Sequence, residues 1–510
     1  MSDVEIASKG LSEGKVGMFS AAIIGISCIA PAYTLSGALG PTASEVGDHL
    51  PAILLVGFVP MLLVAIGYKE LNASMPDSGT TFTWATRAFG PVLGWLGGWG
   101  LLAATILVLS NLAGIAVDFF YLMLSQIMHK PEIAELTHNV PINVATCFVF
   151  VVIAALISYR GLDTTKSVQY ALVGFQFAVL ILFSCMALWK AHNGQAWEAM
   201  EFSWEWFNPL GVGSFSAFAA GVALSVFIYW GWDVVLTMSE ETEGSSSTPG
   251  KAATLTILII VVLYQLIAVA TLSYAGVGDG QYGLGNQAIQ ANIFGELATP
   301  IMGGLAILMS LAVLGSSAAS LQSTFIGPAR TMLAMGFYGA LPKKFANISP
   351  KFQTPGFATF VAAVVAFAFY AVMRVISEAV LWDTITALGM MVCFYYGMTA
   401  FACVWYFRKE WFSSVGCFFA KFLSPLVGGA LLLTFFFQTS YDAMDPSYGS
   451  GSEIFGVGLV FMLGVTLFAL GAISMALTWR KNPAFFRGQT LTRGLPSDKM
   501  ITVDEVLKLD

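Results

Sequence analysis

Long uncharged runs dominate this chain, and they recur at intervals too regular for a soluble core. Twelve stretches are mostly apolar: 16–40, 50–71, 91–124, 141–159, 167–190, 212–238, 252–276, 298–322, 356–374, 379–407, 422–440 and 453–479. A helix needs about 20 such residues to cross a bilayer. The pattern therefore predicts an all-α integral membrane protein with twelve transmembrane helices. Connections are short and leave no room for a soluble domain; the longest are a Trp-rich segment, 191–211, and a Gly-rich one, 277–297.

Two of these runs carry breakers where unsatisfied backbone is costly. In the first, IAPAYTLSG (29–37) places Pro31 near the centre of an uncharged stretch from Val16 to Gly40. Proline has no backbone N–H and interrupts the helical ladder. In the sixth, FIYWGWDVV (227–235) places Gly231 and Asp233 in apolar surroundings. Runs one and six are corresponding members of two five-helix halves, which an odd number of crossings inverts in the membrane. Paired interruptions in inverted halves point to a transport site at the midplane, because non-helical backbone is tolerated there only where it lines a cavity or is buried in protein. The plainer alternative is that Pro31 kinks a packed helix.

Charge placement predicts orientation. With the N-terminus inside, 20 of the 23 Lys and Arg fall on the cytoplasmic side, and Lys130, Lys190 and Arg374 fall outside. That asymmetry obeys the positive-inside rule and puts both termini in the cytoplasm. The expected organisation is a tail over 1–15, a first repeat over 16–190, a second over 212–407, two further helices over 422–479 and a tail over 480–510.

Composition agrees: 57% of the residues are hydrophobic and 10% charged, against roughly 25% charged in soluble domains. Mean hydropathy is +0.77. The net charge of −7 is scattered through short loops, so it does not mark a nucleic-acid surface. The polar, acidic start MSDVEIASKGLSEGK lacks the pattern of a cleavable signal peptide. Cys28, Cys147, Cys185, Cys393, Cys403 and Cys417 lie mostly in apolar runs without metal-ligand spacing, as buried small hydrophobes do. No metal or cofactor is expected.

Four further motifs carry a resemblance. YKELNASMPDSGTTFTWATRAFGPVLGWLGGW (68–99) follows the second run, YRGLDTTKSVQ (159–169) lies between runs four and five, GWDVVLTMSEET (231–242) ends run six, and GPARTMLAMGFYGALPKKFANISPKFQTP (327–355) follows run eight. Together they resemble the amino acid–polyamine–organocation permeases over roughly residues 12–480. The resemblance implies a leucine-transporter-type 5+5 inverted repeat plus two C-terminal helices. It also implies alternating access and a substrate site between helices 1, 3, 6 and 8. The expected function is secondary transport of an amino acid, coupled to protons or sodium or run as exchange, in the inner or plasma membrane. Besides the small-molecule substrate and the coupling ion, membrane lipid is the expected partner.

On that resemblance Ala30, Pro31, Ala32 and Tyr33 form an unwound substrate-binding segment. One departure stands out. Amino-acid-binding members carry a Gly-Ser-Gly type segment whose amides take the substrate carboxylate, and Pro31 removes one donor. Polyamine importers of the superfamily also carry Pro here, so an organic amine without a carboxylate is the alternative substrate. Phe227, Tyr229, Trp230 and Trp232 surround the second break and offer faces for an ammonium group or ordinary packing. Asp233, a carboxylate inside the membrane, is a functional candidate by position: substrate counter-ion, proton site, or gate. Asp118, late in helix three, is either a second such acid or a solvated rim residue.

For coupling, some family members place a Lys in helix five, and the nearest match here is the neutral Gln176. Ser316, Ser317 and Ser320 of GSSAAS offer hydroxyls for sodium, or small side chains for close packing. His49, His129, His138 and His192 all fall in expected outer loops. A remote enzymatic alternative is an intramembrane aspartyl protease, from GVGDG (276–280) with Asp279, and from Tyr441-Asp442. Such an enzyme needs two carboxylates sharing a proton.

Overall fold

The computed structural model describes residues 9–376, 378–448 and 451–493. Residues 1–8 of the expected N-terminal tail and 494–510 of the C-terminal tail lie outside the described residues. The chain runs through α1 (Met18–Ile29), α2 (Pro31–Val46), α3 (Leu50–Ser74), α4 (Thr81–Phe89), α5 (Pro91–Met128), α6 (Val140–Tyr159) and α7 (Leu162–His192). It continues with α8 (Phe215–Ile228), α9 (Val234–Thr237), α10 (Thr248–Ala275), α11 (Ile293–Met302), α12 (Ala306–Thr324), α13 (Ile326–Phe337), α14 (Gly356–Ile376) and α15 (Glu378–Tyr406). A single turn, α16 (Val415–Cys417), leads through a π-helical stretch into α17 (Ser424–Asp442). A hairpin of β1 (Glu453–Ile454) and β2 (Val457–Gly458) precedes α18 (Leu459–Lys481) and α19 (Pro483–Phe486).

Ten segments among the described residues are long and apolar enough to cross a membrane. The protein is an all-helical integral membrane protein, with that one hairpin as its only named sheet among the described residues. Several boundaries differ from the sequence reading. The run 212–238 holds a helix over Phe215–Ile228 only, because the chain turns at 229–233. The run 298–322 is divided, because Gly303 and Gly304 end α11 before α12 begins. The last run starts with the hairpin, so its helix opens at Leu459.

Burial separates an inner and an outer set of helices. Most of α1 and α2 is buried, as is the middle of α5 and most of α12. By contrast α6 exposes Phe148, Val149, Ile153 and Leu156, α14 exposes Phe360, Val364 and Val372, and α18 exposes Val465, Leu470 and Ile473. An apolar outside around a more polar inside is expected where lipid is the solvent. Association then depends on close packing and interhelical hydrogen bonds. Gly57 illustrates it: a Cβ there would lie 2.1 Å from Ser225 Oγ, so the absent side chain lets α3 lie against α8.

Candidate functional site

The interruption in the first run is a single residue. Ala30 takes a left-handed conformation (φ 56°, ψ 63°) between α1 and α2, which costs an L-residue about 1–2 kcal/mol. Its N–H still closes α1 on the Ile26 carbonyl at 3.1 Å, and its carbonyl opens α2 by accepting from Thr34 N at 2.9 Å. Pro31 occupies the first position of α2. A missing N–H is harmless there, since first-turn amides have no intrahelical acceptor. The expected unwound stretch Ala30–Tyr33 is therefore shorter than the sequence suggested. Ala32 and Tyr33 are helical, and they present first-turn amides at the positive end of α2. Tyr33 N donates to Ser316 Oγ at 3.4 Å.

The second interruption lies against the first. Residues 229–233 turn between α8 and α9, with Gly231 at φ 110°. A Cβ on Gly231 would sit 3.0 Å from the carbonyl carbon of Cys28, so the two broken backbones touch. Tyr264 of α10 ties them together. Its hydroxyl donates to the Ile228 carbonyl at 2.9 Å and lies 2.8 Å from Thr34 Oγ1. Nothing in the sequence pattern singled out Tyr264.

Asp233 is the last residue of the turn and is 5% exposed. Both its oxygens accept from phenols of α15: Tyr396 donates to Oδ1 at 2.8 Å and Tyr395 to Oδ2 at 3.1 Å. Trp230 Nε1 donates to the Tyr395 hydroxyl at 2.6 Å. Trp232 packs between Tyr68 and Tyr396, with ring centroids 5.0 and 5.1 Å away. Phe227, Tyr229, Trp230 and Trp232 are all buried. The Tyr229 hydroxyl and Trp232 Nε1 have no protein hydrogen-bond partner. The sequence passed over Tyr395 and Tyr396 because a Tyr-Tyr pair inside an apolar run reads as packing.

The serines of α12 divide. Ser320 Oγ donates to the Cys28 carbonyl at 2.9 Å, and Ser316 meets Tyr33, whereas Ser317 bonds back to its own helix at Val313 O, 2.9 Å. Gln169, not Gln176, is the glutamine of α7 that reaches helix one. It accepts from Ser27 and donates to the Ala319 carbonyl at 3.0 Å. Gln176 lies seven residues later, about 10 Å along the helix. It is buried, with neither amide atom partnered. Asp118, near the end of α5, accepts from Thr137 in the connection to α6. The four histidines sit in connections or at helix ends. Asp279 is exposed in a loop, and Asp442 ends α17, where it accepts from Gln438 at 2.9 Å. Among the described residues no cluster of His, Cys, Asp and Glu has the arrangement of a metal site.

A second polar cluster seals one end of the bundle. Lys9, whose side chain is wholly buried, bonds Asp77 Oδ2 at 2.9 Å and Glu240 Oε1 at 2.5 Å. Tyr338 donates to Asp77 Oδ2 at 2.7 Å, while Gly79 N and Thr83 Oγ1 donate to Oδ1 at 2.7 and 2.8 Å. Beside them Arg330 forks onto both oxygens of Glu241. Burial pushes the Asp77 carboxyl up, but Lys9 and these donors outweigh it and hold the group below its ordinary value. Burial likewise works against the Lys9 ammonium, which Asp77 and Glu240 hold above the usual lysine value. The members of this cluster come from four distant segments. Three of them lie in MPDSG, SEET and GPARTM, motifs visible in the sequence but not assigned to one another.

An amino acid permease model matches residues 16–441, and the chain belongs to the amino acid permease family. Branched-chain amino acid permease BcaP of Bacillus subtilis is 26% identical over 356 residues, covering 68% of this chain and 72% of that protein. The methylthioribose transporter of Bacillus subtilis is 25% identical over 371 residues, 70% of this chain and 75% of that protein. The low-affinity putrescine importer PlaP of Escherichia coli is 22% identical over 338 residues, 65% and 69% respectively. The chain is a transporter, and the protease alternative built on Asp279 and Asp442 falls with that membership.

Proposed function

We propose that this permease moves an amino acid by alternating access around the paired breaks, driven by protons taken up at Asp233. The observation that carries the reading is the contact of Gly231 with Cys28, which sets two interrupted helices backbone to backbone with a buried acid beside them. In the proposed architecture twelve crossings form repeats over 16–190 and 212–407, followed by the pair over 422–479, with both termini cytoplasmic. Two features support that count. The segment Met18–Ser74 contains two of the expected runs, and Phe215–Ile228 is an apolar helix short of full span because of its break. The substrate sits between Ala30–Tyr33 and Phe227–Gly231. First-turn amides of α2 face the carboxylate, and the aromatic rings cover the ammonium group. Ser316 and Ser320 act as ties between α12 and helix one. The Lys9 cluster closes the cytoplasmic end.

One observation favours a second substrate class. Pro31 takes a donor from the carboxylate cradle, and the relative PlaP is a putrescine importer. Uptake by proteoliposomes, with branched-chain and other amino acids and putrescine offered under an inward proton gradient, separates the readings. Saturable, gradient-stimulated uptake of an amino acid is the expected result. Putrescine uptake alone supports the amine reading, and uptake of neither contradicts the proposal.

A further inference from the structure

Positive charge is left unneutralised near the Lys9 cluster. A cavity of about 480 Å³ opens there beside the end of α4 and the end of α15, and Arg87, Arg408, Lys409 and Arg493 all line it. That volume suits a small ligand or a lipid headgroup. The one carboxylate in its wall, Glu410, is engaged by Lys421 at 2.5 Å. Among the described residues no Asp or Glu forms an ion pair with any of the four cations.

Arg87, in the last turn of α4, is only 3% exposed, and a guanidinium does not lose its charge in a protein. Its Nη1 donates to the carbonyl and the hydroxyl of Thr492 at 3.3 and 3.2 Å, but its Nε has no hydrogen-bond partner. Clasping the C-terminal segment therefore accounts for Nη1 alone. A buried charge without a counter-charge is costly, and an unsatisfied donor on it adds to that cost. Two other cations are held in place. Arg408 lies over the Trp405 ring, 4.9 Å from its centroid, and its Nη1 donates to the Trp405 carbonyl at 2.9 Å. Arg493 lies against Gly90, where a Cβ would come 3.4 Å from its Nε.

An anion with several acceptor oxygens satisfies this arrangement, and the planar fork of arginine matches phosphate. The surroundings indicate where the phosphate comes from. The connection that Lys421 ties to Glu410 exposes Phe412, Val415 and Phe419, and Trp405 is exposed beside it. Exposed aromatic side chains next to cations are characteristic of a membrane–water interface, where basic pockets between helices take anionic headgroups. We propose that the cavity lined by Arg87, Arg408, Lys409 and Arg493 binds a phosphate group, carried by an anionic phospholipid, which pins the C-terminal segment to α4 and α15. The pinned segment reaches the Lys9 cluster: Thr490 Oγ1 donates to the Tyr338 carbonyl at 2.7 Å, and the Tyr338 hydroxyl donates to Asp77. The orientation proposed above makes the leaflet cytoplasmic; the anion site itself depends neither on that orientation nor on Asp233.

Melting curves of the full-length protein in a non-ionic detergent test it. Short-chain phosphatidylglycerol is titrated in, with phosphatidylcholine of the same chain length and inorganic phosphate as separate arms. A ligand that binds only the folded state raises the melting temperature by mass action. A saturable rise is expected with phosphatidylglycerol and none with the other two. Arg87→Gln, and Arg408→Gln combined with Arg493→Gln, should each raise the half-saturating concentration about tenfold, the worth of one lost charge-assisted contact. Lys344→Gln, a cation outside the cavity wall, should leave it unchanged. If Arg87→Gln fails to fold, the double variant carries the test. A rise with inorganic phosphate that shows the same residue dependence keeps the anion site and overturns the lipid as its source. No response to either anion, an equal response to phosphatidylcholine, or a half-saturation moved as far by Lys344→Gln as by the arginine variants overturns the site. Arginine variants that leave the half-saturation unmoved overturn it too. So does a phosphatidylglycerol response that appears only with Asp498→Asn, Asp504→Asn, Glu505→Gln and Asp510→Asn together, since the chain's own acidic tail is then the occupant.

Discussion

Gly231 rests on the backbone of Cys28, with 3.0 Å between the place a Cβ would occupy and the Cys28 carbonyl carbon. This contact joins the two halves of the proposed repeat at their weakest points. Gly231→Ala meets two penalties. A positive φ costs a residue with a Cβ about 1–2 kcal/mol, and overpacking against rigid backbone adds about 1–3 kcal/mol. The expected outcome is a lower melting temperature in detergent and loss of uptake. Wild-type values of both would contradict the contact.

Tyr264 bonds Ile228 and Thr34 with one hydroxyl, so its removal loosens both breaks at once. Tyr264→Phe should cost about 1 kcal/mol per lost bond. Thr34→Val should cost less by itself and little more when added to Tyr264→Phe, because partners in one network are not additive. Fully additive losses in this double-mutant cycle, read from melting curves, would separate the two bonds.

Lys9→Met leaves Asp77 buried without its cation. Breaking a buried pair in this way typically costs about 3–5 kcal/mol, and here the end of the bundle that the cluster occupies bears the loss. A cysteine at the buried Ser239 should react faster with an inside-applied thiol reagent in Lys9→Met, and adding Asp77→Asn should restore part of the protection. The pH dependence follows from the two shifts. Asp77, held low, contributes above the ordinary carboxylate range and loses that only as pH falls through its lowered value. Lys9, held high, contributes below the ordinary lysine range and loses that only as pH rises through its raised value. Labelling should therefore be flat between about pH 5 and 9. A titration inside that window would contradict the assignment.

The sequence made the membrane class, the helix-one break and Asp233 legible, because Pro31 and an acid in an apolar run violate local rules that lipid enforces strictly. It overstated the break, since the position of Pro31 within a turn decides between unwinding and a clean new helix start, and only coordinates fix that position. It could not reach the phenols of Tyr395, Tyr396 and Tyr264. A tyrosine in an apolar run reads as packing until its partner, more than 160 residues away for the α15 pair, is known. The same distance hid the Lys9 cluster, whose anchor Asp77 is 68 residues from Lys9 and 261 from Tyr338.

Helix five shows how register escapes a motif match. Gln176 carries no charge and touches neither helix one nor α12 through its amide, whereas Gln169 bonds both. Gln176→Ala should leave the pH profile of uptake unchanged even if the rate falls. Gln169→Ala should lower both melting temperature and uptake, since Ser27 and the Ala319 carbonyl each lose a hydrogen bond. A displaced pH profile in Gln176→Ala would return the coupling role to that residue.

The central claim is that Asp233 carries the coupling proton beside a substrate held by the two breaks. Asparagine mimics the protonated acid, so one variant tests it. In Asp233→Asn, binding by calorimetry and accumulation in proteoliposomes are measured on the same preparation. The account predicts that the substrate still binds and exchanges while uphill accumulation under a pH gradient fails. Affinity weakened by the 2–5 kcal/mol typical of a broken desolvated charge pair would make Asp233 the substrate's counter-ion instead. Normal binding together with normal accumulation would contradict the claim outright.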